Sequence, residues 1–128
     1  MVKCVQLVLG DGSVEVYSFS KKLAKEIGVI EATFLQILYR IIQENKDICI
    51  VEDDICWFPC TIKDWGIYID LWTYRQTDRI VKNCLLKHAL YLRNYDDDER
   101  RRRGWYGISK DVIPMLEQVD NTMKSGRP

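Results

Sequence analysis

No apolar stretch in the 128 residues approaches the roughly 18 needed to cross a bilayer, so no membrane-spanning segment is expected. The opening MVKCVQLVLGDGS has one Lys and is broken early by Asp11-Gly12, unlike a secretory leader, and an intracellular protein is expected. There is no excess of either charge, 19 basic residues standing against 19 acidic. That balance excludes a chain that coats nucleic acid indiscriminately, where a basic surplus is needed, while leaving room for a local patch. Histidine occurs once, as His88. A Gly-rich phosphate loop, a nucleophile elbow and a pair of acids in apolar surroundings are all missing, so no enzyme is expected and no catalytic residue is assigned.

Paired Cys-x-x-Cys spacing is also absent. The five cysteines are Cys4, Cys49, Cys56, Cys60 and Cys84. An odd number without a leader favours reduced, mostly buried thiols. Cys56 and Cys60, with Cys49 and His88, are the one set that could complete a tetrahedral zinc site. A Cys56–Cys60 disulfide is the alternative in a hyperthermophile. Neither metal nor cofactor is assigned.

What is present is a regular alternation of elements, with no internal repeat. KCVQLVLGDGSVEVYSF is two β-rich runs about Asp11-Gly12, the residue pair that a tight type I′ hairpin turn favours. SKKLAKEIG reads as a short helix from near Ser20, stopped by Gly28. In VIEATFLQILYRIIQEN, residues Ile30, Phe34, Ile37, Leu38, Ile41 and Ile42 form one apolar stripe of a long helix. ICIVEDDICWFPC is extended with a turn near Asp53-Asp54, and at Pro59 pairing is expected to stop or to run along an edge. Thr61 with Asp64, then Thr73 with Gln76, are two capping boxes, opening a short helix and a longer one to about Ala89. YLRNY and GWYGIS flank DDDERRRR as a charged-tipped hairpin. Val112, Leu116, Val119 and Met123 mark a last amphipathic helix. Trp57, Trp65, Trp72 and Trp105 are expected in core and hinge packing. Tyr39 and Tyr91 are expected at the core rim.

The stretch TYRQTDRIVKNCLLKHALYLRNY, residues 73–95, carries the chemistry. At about 100° per residue, Ile80, Val81, Cys84, Leu85 and His88 gather on one side. Arg75, Gln76, Arg79, Lys82, Asn83 and Lys87 take the other, and Leu86 interrupts them. The lone acid, Asp78, lies in the first turn, where the helix dipole favours it. Arg presents a fork matching guanine O6 and N7, Asn and Gln can bond adenine N6 and N7, and Lys suits phosphate. From Trp72 to Tyr106 there are nine basic residues (Arg75, Arg79, Lys82, Lys87, Arg93 and Arg100 to Arg103) against five acids, a net of plus four in a neutral chain. At the hairpin tip Arg100, Arg101, Arg102 and Arg103 are suited to a phosphate backbone or a minor groove. Pairing with Asp96, Asp97, Asp98 and Glu99 across a solvated loop is the other reading of that run.

From about Gly28 to Ser109 the order of motifs resembles the winged helix-turn-helix domains of phage and plasmid replication-initiation proteins, including DnaD-like proteins. The residues that carry the resemblance are IEATFLQILYRII, then CWFPCTIKDWGIYI, then TDRIVKNCLLKHALYL, and finally WYGIS. The family's helix usually ends in Gly-Leu-Ile, where this chain has Ala89-Leu90-Tyr91. The resemblance implies that Thr77, Arg79, Lys82 and Asn83 lie on a recognition helix and Arg100 to Arg103 on a wing. Small winged-helix proteins of this size are common in viruses of bacteria and archaea.

The expected fold class is α+β: an N-terminal β-hairpin (1–20), a winged-helix domain (21–109) and a C-terminal helix and tail (110–128). The expected function is double-stranded DNA binding, in transcription or replication, in the cytoplasm or in a host cell's cytoplasm. Thr73, Arg75, Gln76, Arg79, Lys82, Asn83, Lys87 and Arg100 to Arg103 are the DNA-contacting set. No small-molecule substrate is expected. A homodimer through the N-terminal hairpin or the last helix fits the way helix-turn-helix readers pair half-sites. The competing expectation is a winged-helix module that binds protein through Leu86 and its acidic surface.

Overall fold

A computed structural model describes residues 2–8, 14–94 and 104–125. The expected turn at Asp11-Gly12 and the arginine tip at 100–103 lie outside those residues. The chain opens with β1 (Val2–Val8) and β2 (Val14–Ser20), an antiparallel pair in the register Val8↔Val14. The helix α1 (Lys21–Ile27) starts at Ser20, whose hydroxyl accepts from the Leu23 N–H at 3.2 Å. Gly28, at φ 110°, joins it directly to α2 (Val29–Glu44), a turn that a side chain would strain. After a single 3-10 turn come β3 (Ile50–Glu52) and β4 (Ile55–Cys60), then α3 (Ile62–Tyr68) and α4 (Tyr74–Leu86). The last elements are β5 (Leu90–Arg93), β6 (Gly104–Ile108) and α5 (Ile113–Ser125).

The described residues therefore form an α+β fold with five α-helices and a four-stranded antiparallel sheet ordered β3-β4-β6-β5. The run from α2 through β4, α3 and α4 to the β5–β6 pair is compatible with a winged-helix-like fold. Both expected capping boxes form. Thr61 exchanges bonds of 3.0 and 3.1 Å with Asp64, and Thr73 exchanges bonds of 2.9 and 3.2 Å with Gln76. Asp53 and Asp54 both have positive φ and close β3 onto β4 in two residues. Pro59 pairs with Trp105 of β6, but β3 reaches only to Trp57, so on that side Pro59 deprives no strand of a donor.

α2 is buried on more than the one expected stripe. Phe34, Leu38, Ile41 and Ile42 are inside as expected, yet so are Leu35, Gln36 and Tyr39, while Ile30 is half exposed. β2 and α5 cover the second side of the helix, and the Gln36 amide donates to the Leu116 carbonyl at 3.1 Å. The main core joins Phe34 and Leu38 to Phe58, Trp65, Cys84 and Leu116. Trp65 lies edge-on to Phe34 (5.3 Å) and to Tyr106 (5.2 Å), arrangements that aromatic quadrupoles favour. Trp57 and Trp105 leave that core for a smaller cluster with Ile55, and Arg93 stacks 4.3 Å above the Trp57 ring. Among the described residues no helix is long and apolar enough to cross a membrane.

Two expectations are corrected here. The helix that begins at Tyr74 stops at Leu86 rather than Ala89, and His88 is exposed rather than part of the apolar side. The cause is a left-handed residue: His88 has φ 58°, the Ala89 N–H reaches back to the Cys84 carbonyl (3.0 Å), and the His88 N–H to Leu85 (3.1 Å). That is a Schellman closure, normally built on Gly. The cysteine alternatives fail on spacing. β4 is extended, so Cys56 and Cys60 are about 13 Å apart along the strand, beyond disulfide reach. Among the described residues no group of three or more His, Cys, Asp or Glu side chains converges on a common point.

Candidate nucleic-acid interface

α4 owes its orientation to an apolar side set against α2 and α3. Thr77, Ile80, Val81 and Cys84 are all buried, and the Thr77 hydroxyl is turned back onto the Thr73 carbonyl at 3.0 Å. Thr77, which the family resemblance set on the recognition helix, is therefore on its inner face. The opposite line is Arg75, Arg79, Lys82 and Leu86, spaced four, three and four residues apart, and all four are exposed. Residues at that spacing stand above one another on a helix surface. Arg75 and Arg79 have no hydrogen-bond or ion-pair partner among the described residues, leaving both guanidinium forks open to an external acceptor. Lys82 pairs with Asp78 at 2.8 Å, one turn back. That bond raises the Lys82 pKa, and the lysine stays charged across the physiological range. An exposed pair of this kind contributes little and exchanges readily for a phosphate.

Gln76, Asn83 and Lys87 do structural work, while Arg100 to Arg103 lie outside the described residues. Gln76 is exposed, but its Oε1 accepts from the Thr73 N–H, so its carbonyl is committed to the cap. Asn83 donates to Glu31 Oε1 in the first turn of α2 at 3.2 Å. Lys87 donates to the Ile27 carbonyl at the end of α1 at 2.9 Å, a cation at a helix C-terminus, where the dipole favours it. Together they clamp α4 to the elbow between α1 and α2. Arg93, counted above in the local positive charge, is spent on Glu52 and Asp53, both at 2.9 Å. Among the described residues of this segment, the open cationic surface is thus centred on Arg75, Arg79 and Lys82.

Sequence reasoning passed over Tyr74, the first residue of α4, which is 58% exposed beside the basic line, and Lys63, exposed on α3. The Thr73 cap was the available signal for Tyr74, since a first-turn residue next to a cap is rarely enclosed. Burial pushes the Cys49 thiol up to about 11 and the Cys84 thiol up to about 12, and raises Cys60 further, so all three are protonated at neutral pH. The chain matches no protein family model, no curated protein and no solved structure.

Proposed function

We propose that this chain is a winged helix-turn-helix protein that binds double-stranded DNA rather than an enzyme, with α4 in the major groove and the β5–β6 hairpin as the wing. The observation that carries the reading is the exposed line Arg75, Arg79 and Lys82 on a helix capped at Thr73 and packed behind α3. A helix with one solvated cationic edge and a buried opposite edge has the form that enters a groove about 12 Å wide. In this reading Arg75 and Arg79 address guanine edges, while Lys82 and Thr73 address phosphates. Asn83 and Lys87 hold the helix at its angle, and Arg100 to Arg103 follow the backbone from the wing. A role in transcription or replication follows from site-specific binding to duplex DNA.

The test is selection of bound duplexes from a random library, followed by titration of the enriched site at several salt concentrations. Affinity should fall steeply with salt, as counterion release requires. Arg79→Ala should cost about 1–3 kcal/mol at one base position and relax specificity there. Binding without a salt slope, or an Arg79→Ala variant with unchanged preference, would overturn the proposal.

A further inference from the structure

Leu86 is 79% exposed, as much as any apolar side chain among those whose exposure is described. Singly exposed leucines are ordinary on protein surfaces and need no explanation. Its position is the informative part. Leu86 is the last residue of α4 and continues the line of Arg75, Arg79 and Lys82 without a lateral step. Eleven residues at 1.5 Å each place it about 16 Å from Arg75 along the helix axis. That length matches roughly five base-pair steps at 3.4 Å. The two polar neighbours that could have crossed its face are drawn away, Asn83 to Glu31 and Lys87 to the Ile27 carbonyl. An apolar side chain is therefore presented at one end of a cationic reading line.

We infer that Leu86 is a specificity residue that contacts the C5-methyl group of a thymine at the end of the site remote from Thr73. The inference rests on the DNA-binding reading above and adds a base preference to it. In the major groove the thymine methyl is the one apolar group on a base edge. A helix lying lengthwise in that groove can bury Leu86 there while its cations remain against phosphates and base acceptors. A protein partner covering Leu86 would instead reach Lys82 one turn back and desolvate it, which is costly unless an acid matches it. The groove supplies acceptors and the methyl group on one surface.

The experiment takes the duplex enriched by the full-length chain and replaces each thymine in turn with deoxyuridine, which removes the methyl and nothing else. One position per bound copy should weaken wild-type binding about fourfold, the equivalent of one buried methyl. The same replacement should leave Leu86→Ala unaffected. The inference is overturned if the enriched site lacks thymine, if no deoxyuridine changes wild-type affinity, or if Leu86→Ala loses the same factor as wild type. Each of those outcomes leaves the DNA-binding proposal standing, whereas failure of the chain to bind any duplex removes both.

Discussion

His88 holds a backbone conformation that suits glycine, and nothing about its side chain requires it to be there. Its φ of 58° closes α4, and its ring is exposed. A side chain in the left-handed region costs on the order of 1–2 kcal/mol, which glycine avoids at some expense in unfolded-state entropy. His88→Gly should therefore stabilise the chain by about 1 kcal/mol, read as a rise of roughly 3–5 °C in Tm by calorimetry. An unchanged or lowered Tm would mean that the imidazole makes a compensating contact. The end of this helix was illegible because His88 continues the apolar periodicity to two residues past the true stop at Leu86. Its start was legible because Thr73 and Gln76 satisfy each other within a single turn. Local signals of that kind survive in a sequence. The fates of Asn83, Lys87 and Arg93 did not, because their partners are Glu31, the Ile27 carbonyl, and Glu52 with Asp53. A helical wheel treats all exposed cations alike, and only the assembled fold separates those that clamp from those left open.

At the scale of elements, the sheet is thin at β6, and one glycine makes that possible. A Cβ built on Gly107 would collide with the Ile55 side chain and crowd the Trp57 ring at 3.0–3.1 Å. β4 and β6 pack their outer faces at this point, with Trp105 beside Trp57 and Arg93 above it. Gly107→Ala should therefore push Trp57 off its seat and cost about 1–3 kcal/mol, as overpacking does. Urea denaturation followed by tryptophan fluorescence would report it, and a loss under about 0.5 kcal/mol would show that the outer cluster yields freely. The same elements explain how the strands were read. Tyr91 pairs with Gly107 and Leu92 with Tyr106, so the two runs expected to form a hairpin do meet in register. The inner face of that hairpin supplies Tyr106 and Ile108 to the main core. The two strand-like runs about a charged tip had suggested the hairpin, but they did not reveal that Trp57 and Trp105 would form a cluster with Ile55. That division depends on which face of β4 turns toward the helices.

Over the whole molecule, the segments read as hairpin, central unit and tail are joined by one apolar interior. Phe19 of β2, Phe34 of α2, Trp65 of α3 and Leu116 of α5 belong to the same cluster. α5 contributes Leu116 and Val119, with Val112 just ahead of it, all three buried. It also supplies the carbonyl that accepts from the Gln36 Nε2 inside the fold. Losing α5 would uncover Tyr39 of α2, which faces Glu117 and Asp120, and would exchange the Gln36 bond for one to water. Burial of Val112, Leu116 and Val119, which a chain ending at Ser109 forgoes, contributes roughly 1.5–3 kcal/mol each. The sum is comparable to the 5–15 kcal/mol that holds a typical domain together. A chain ending at Ser109 should therefore lack a cooperative thermal transition, although it retains every element of the proposed reading head. Leu116→Ala in the full chain isolates the packing share, and a loss of about 2–5 kcal/mol is expected. If the shortened chain instead melted cooperatively near the full-length Tm, residues 110–128 would be an appendage and α2 would need only its first stripe covered. The physical alternatives thus separate on one calorimetric trace: a single interior that includes α5 loses its transition with the truncation, and two independent units do not.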